Sequence, residues 1–302
     1  IGMVALLALV ITGLIMATRA HGLPWRRALR WTLILSVIPI AAFAARSESL
    51  LFGYSTTVAW ETFAVGVVTG FIRDVGLQVG VLFLALAGLE ASVPYALSLI
   101  TREGRTRFGR SAAVSALTAL SIGVVAIVLQ QFVAHAIPSS ASVTLFAPTE
   151  VATPLPAVIE TLQAIFGAII FAAAVALYST AIRKHTAVVT IVAVFFMTLD
   201  PLATPAQAPL MLLRALIVAL TAWAIARYVL DGNPLAWPLT AFLVSLLRTA
   251  DVLLQNHRPD LTGNGIALIV FAIAAVAWVA VPRMKDRTYN VARDREGDPN
   301  TL

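Results

Sequence analysis

No cysteine occurs anywhere in the chain, which excludes disulfides, thiolate metal sites and cysteine nucleophiles together. Charge is nearly as scarce: 12% of residues are Asp, Glu, Lys or Arg, against roughly 25% in soluble domains. Also missing is the period-two alternation that marks the strands of a transmembrane barrel. Apolar residues fill the space instead, making up 60% of the 302 positions with a mean hydropathy of +0.90. The hydrocarbon core offers no water to backbone N–H and C=O groups, so apolar runs of this kind cross a bilayer as helices. The expected fold class is all-α, a polytopic transmembrane helical bundle of about nine spans.

Those spans read as 3–17, 31–45, 75–99, 111–137, 157–182, 187–199, 210–230, 235–254 and 265–281. The second is short for a hydrocarbon core of about 30 Å, so Ala28 and Leu29 are expected to extend it. Arg73 and Asp74 divide the long helical pattern 57–100, leaving Trp60 and Glu61 in an interfacial stretch. The longest loop, 138–156, is rich in Ser, Thr and Pro, and a proline-rich link follows at 201–209. Residues 1–110 form the expected N-terminal membrane helices, 111–282 the membrane core and 283–302 a disordered, mixed-charge cytoplasmic tail. The chain starts at Ile1 and is apolar from Met3, which suggests a processed or excised chain or the membrane part of something longer. A signal peptide over 2–17 would need a positively charged n-region, and none precedes it.

Positive charge orients the spans. With nine crossings, 16 of the 21 Lys and Arg residues fall on one side, in 19–30, 101–110, 183–185, near 231–234 and in the tail, whereas Arg46, Arg73 and Arg258 fall on the other. The basic side is expected in the cytoplasm, with the N-terminus outside and the C-terminus inside, in a bacterial inner (plasma) membrane. The net charge of +6 and pI of about 10.3 have the same origin. Basic residues at loop ends fit anionic headgroups rather than nucleic acid. Lipid is thus the expected partner, with another membrane protein as the candidate bound component and no nucleic acid.

An ionisable group at the bilayer centre costs on the order of 2.5–3.5 kcal/mol on insertion scales, so each one calls for a partner or water. Glu160, Asp200, Arg214, Arg248 and Asp251 all fall toward the outer ends of their spans and are expected to line one outward-facing polar cavity. Arg248 and Asp251, three apart on one helical face, can alternatively neutralise each other. Glu90 precedes Pro94, which frees its carbonyl; a local structural role is expected, with Tyr95 as a candidate partner. Two small-residue repeats, Gly66/Gly70 and Gly76/Gly80, predict close helix packing, within the monomer rather than at a dimer seam. Of the histidines, His21, His185 and His257 lie at loops and His135 near a helix end. No His-Glu-x-x-His, Gly-x-Ser-x-Gly or phosphate-loop motif occurs. No catalytic, cofactor-binding or metal-ligating residue is assigned.

One block carries a resemblance. A long helix ending at Arg183-Lys184, a short helix ending in Leu199-Asp200-Pro201, a further helix, and then Asp231-Gly232-Asn233-Pro234-Leu235-Ala236-Trp237-Pro238 lead into another helix. Over 155–255 this order is similar to the core of the CPBP family, the CAAX-protease-like, glutamic-type intramembrane proteases. Gly232, Asn233, Trp237 and Pro238 echo a turn of that family. Family activity rests on a paired-glutamate motif and two histidine motifs. By spacing from Arg183, the glutamates would fall near Ile170 and Phe171, the motif arginine near Val175, and the histidines near Asp200 and within 240–242. None of the motif residues stands there, and Ile or Phe cannot transfer protons. The resemblance therefore implies a catalytically inactive scaffold with a binding or structural role. A small transporter or ion-coupled carrier using the outer polar cluster is the alternative; internal inverted repeats would favour it, and none is evident. A membrane anchor of a larger protein with a further N-terminal domain is a third.

Overall fold

Leu239, Leu243, Leu246, Ala250 and Leu253 recur at intervals of four and three, the spacing that puts side chains on one face of a helix. All five are buried in one hydrophobic core shared by several helices. The computed structural model describes residues 25–45, 54, 57–93, 102–136, 156–181, 208–229, 233–256 and 258–281. These form helices α1 (Trp25–Leu35), α2 (Val37–Ala45), α3 (Trp60–Ser92), α4 (Arg102–Ala136), α5 (Pro156–Ala181), α6 (Ala208–Ala224), α7 (Ala236–Gln255) and α8 (Pro259–Ala280). A π-helical turn, Ile225–Val229, follows α6 directly. No strand occurs among the described residues.

Six stretches among these are long and apolar enough to cross a membrane, with α1 and α2 together making one of them. The protein is a helical membrane protein. Its exposed surface agrees: Leu33, Val65, Ile72, Val125, Phe132 and Ile273 project from the bundle, an outer surface that lipid, not water, would cover. The expected spans 3–17 and 187–199 and the tail lie outside the described residues.

The core is organised around α7. Its leucine face meets the small residues Ala112, Ala116 and Ala119 of α4, Ala157 and Ala164 of α5, and Leu261, Leu268 and Ala272 of α8. Small residues let these helices approach closely, which is where membrane helices gain dispersion energy. Helix α5 packs on α7 and α8 on one side and on α2 and α3 on the other. Leu82 and Leu86 of α3 form a second core with Trp31, Leu35, Phe166 and Ile169. Helix α6 lies on α4.

Several hydroxyl groups among the described residues are satisfied within their own helix, as a water-free surround favours. Thr32, Thr69, Thr118, Ser121, Thr161 and Thr240 each donate to the carbonyl four residues earlier. Pro39 explains why α1 and α2 are distinct: its ring crowds the carbonyl of residue i−4, Leu35, where α1 ends. Ser36 still donates its N–H to Thr32 (2.8 Å) and Ile40 to Ser36 (3.3 Å), so the helical rotation carries across the break.

Four expected boundaries differ from those observed. Helix α3 runs unbroken through Arg73 and Asp74; the two form an exposed ion pair, Nε to Oδ1 2.8 Å, and nothing in either side chain stops a helix. At about 1.5 Å per residue α3 is about 50 Å long, so it outreaches the hydrocarbon, and the charges mark depth rather than an end. The arginines of 102–110 occupy the first turns of α4, and Arg26, Arg27 and Arg30 those of α1, because Arg is a good helix former. Gly263, Asn264 and Gly265 lie inside α8, which starts six residues before Gly265, at Pro259, proline being well placed in a first turn.

The packing glycines also differ. A Cβ added at Gly66, Gly70, Gly76 or Gly80 would meet nothing within 4 Å, so these four do not mediate helix contact within the described chain. That role belongs to Gly109 and Gly265. A Cβ at Gly109 would collide with the carbonyl oxygen of Val279, and one at Gly265 would meet the Leu254 side chain at 3.0 Å.

Candidate functional site: a buried carboxylate between helices

Helix α5 opens with Pro156, and its next residue, Ala157, has one of the orphan N–H groups of a helix start. That group donates to Oδ1 of Asn264 on α8 at 3.3 Å. Asn264 is itself fixed by donating Nδ2 to the Asp260 carbonyl at 2.9 Å. One turn into α5, Glu160 lies between Ala157 and Ala164 on the face directed at the core. Its residue is 6% exposed. Thr249 of α7 donates its hydroxyl to Glu160 Oε2 at 3.2 Å. The start of α5, the end of α7 and the start of α8 therefore meet at one level.

Among the expected cavity residues, Glu160 is buried, whereas Arg248 and Asp251 lie on the exposed side of α7. The Asp251 carboxylate accepts from Gln255 Nε2 at 2.9 Å, one turn further on, rather than from Arg248. Arg214 stands on α6, its side chain outside the described residues, as is the whole of Asp200. The structure thus joins Glu160 to Thr249, a residue the sequence does not single out, because a threonine within a leucine-rich face carries no charge signal. Among the described residues no three His, Asp or Glu side chains come together as a metal site.

At the opposite end of the bundle a second carboxylate is buried. Glu90 accepts from Arg27 Nη1 of α1 at 3.4 Å, with the Glu90 side chain 1% exposed. The predicted partner Tyr95, and Pro94, lie outside the described residues. Arg27 is one of three arginines in two turns, and sequence alone does not say which turns inward.

Asn233, from the turn that carries the CPBP resemblance, is buried. Its Oδ1 accepts from the Leu235 N–H at 3.1 Å, an Asx turn that starts α7. Its Nδ2 donates to Ser111 Oγ at 2.9 Å and to the Phe108 carbonyl at 3.4 Å, tying that turn to the start of α4. Near it, Arg105 of α4 donates to the Trp278 carbonyl at 2.9 Å and lies over the Trp278 ring, 4.0 Å from its centroid. The starts of α4 and α7 and the end of α8 thus share the other level. Further along α5, Phe171 contacts Trp237 of α7 with ring centroids 6.1 Å apart.

Comparison with protein-family models, with curated proteins and with solved structures gives no match.

Proposed function

We propose that this chain is a non-hydrolytic multi-spanning membrane scaffold that binds another membrane component, built on a CPBP-like block without the family's chemistry. The observation that carries the reading is the Phe171–Trp237 contact. Phe171 stands where the resemblance would put a glutamate, and Trp237 lies one turn before the segment 240–242, where it would put a histidine. In this reading aromatic side chains stand at or beside the positions that the resemblance assigns to a carboxylate and a histidine, and neither ring can activate a water. The basic ends of α1 and α4 face the cytoplasm in this reading.

The test has two arms. Purified protein in detergent, incubated with membrane-anchored peptides, is expected to give no cleavage above buffer by mass spectrometry; cleavage overturns the non-hydrolytic half. Extraction in mild detergent is expected to yield a discrete assembly larger than one chain, and a monodisperse monomer overturns the scaffold half.

A second reading, an ion- or proton-coupled carrier, is favoured by Glu160 alone. An ionisable side chain inside a membrane bundle is a functional-site hypothesis by default, and Thr249 gives it an interhelical donor. A cysteine at Asp251 that reacts with a membrane-impermeant thiol reagent, and does so differently when Glu160 is changed to Gln, supports the carrier. Indifference to Glu160→Gln removes it.

A further inference from the structure

The three arginines of α1 have different fates. Arg27, though its side chain is 45% exposed, reaches buried Glu90, and Ala28 is fully buried beside it. Arg26 and Arg30, four apart and so on one face, are exposed and have no acidic partner among the described residues. The same face continues at intervals of three and four through Leu33, Val37 and Ile40, which are 67%, 60% and 43% exposed. The backbone bonds across Ser36 keep these residues in register. One stripe therefore begins with two unneutralised guanidinium groups and goes on purely apolar.

We propose that this stripe binds one anionic phospholipid, its phosphate held by Arg26 and Arg30 and an acyl chain lying along Leu33, Val37 and Ile40. Charge and length both select that occupant. Guanidinium groups match phosphate oxygens with forked, charge-assisted hydrogen bonds, and two of them with no acid alongside favour a headgroup with net negative charge. From Arg30 to Ile40 the helix rises about 15 Å, half of a hydrocarbon core of about 30 Å. The apolar part of the stripe is thus as long as one leaflet is deep. The inward Arg27–Glu90 bond fixes the rotation of α1 that presents the stripe. Trp25 adds an interfacial anchor, stacked on Phe83 of α3 with centroids 5.6 Å apart.

The full chain reconstituted in phosphatidylcholine bilayers with spin-labelled phosphatidylglycerol or spin-labelled phosphatidylcholine as probe decides the matter by the motionally restricted fraction of each. Wild type is expected to prefer phosphatidylglycerol on the order of tenfold, R26Q/R30Q to lose most of that preference, and R107Q/R110Q, which alters exposed arginines of α4, to keep it. Millimolar inorganic phosphate should leave the restricted fraction in place, because it lacks the chain. Equal restriction of both lipids in wild type overturns the proposal. So does a preference unchanged in R26Q/R30Q, or one lost equally in R107Q/R110Q, which would mean diffuse surface charge. If the double variant does not fold, R26Q and R30Q singly make the same test, each expected to lose about threefold.

Discussion

At the scale of single residues, glycine shows how far composition can mislead. Four glycines at helix-packing spacing face open space, whereas Gly109, outside any repeat, has a backbone oxygen where its Cβ would be. Gly109→Ala is therefore expected to destabilise the bundle by about 1–3 kcal/mol through overpacking, read as a fall in thermal midpoint in detergent. Gly66→Ala should be neutral or slightly stabilising, by up to about 1 kcal/mol, since alanine loses less backbone entropy in a helix. Equal effects of the two would contradict the packing described. Asn233→Ala removes the acceptor of a buried N–H and the tie to α4, at an expected cost of about 1–3 kcal/mol, and Asn233→Asp, which keeps the acceptor but sets a buried carboxylate oxygen against the Phe108 carbonyl, should cost at least as much. Asn233 was visible in sequence as a turn residue. Its bond to Ser111, 122 positions earlier, was not, because only tertiary contact brings the two together.

Helices were the most legible feature. Hydrophobic runs located α5 and α7 to within a residue or two at each end, since their apolar stretches coincide with their helical ones. The errors came where charge was read as an ending. A charged side chain leaves lipid long before it leaves a helix, so α1 and α4 begin among the arginines expected to precede them, and α3 runs through the Arg73 expected to divide it. The candidate site was half legible: membrane depth put Glu160 among five charged residues expected to line one cavity, whereas the structure buries it beside a threonine on another helix and leaves Arg248 and Asp251 exposed. Glu90 likewise meets a cation 63 positions away, on α1. A double-mutant cycle tests that pair. Arg27→Met, which withdraws a half-exposed cation from a buried carboxylate, is expected to cost about 1–3 kcal/mol, and Arg27→Met with Glu90→Met to recover most of it. Additive losses would mean that the two side chains do not couple.

For the whole molecule, the two levels set by hydrogen bonds give a test that the lack of cysteine makes clean. Single cysteines replacing Ser140 and Thr288 should report opposite sides of the membrane, with Ser140 labelled by an impermeant reagent on intact cells and Thr288 only after permeabilisation. The reverse pattern would invert the proposed orientation. The bond from Ala157 to Asn264 also sets an order in time. It joins residues 107 positions apart, and at a synthesis rate of about 5–20 residues per second Asn264 leaves the ribosome roughly 5–20 seconds after Ala157. During that interval the first turn of α5 has an N–H group without its final acceptor, and Glu160 lacks Thr249 beside it. Helix α5 can pack on α2 and α3 as soon as it is made, whereas its face toward α7 and α8 closes last, so a chain truncated before α8 is expected to be degraded faster than the full chain in a pulse-chase measurement.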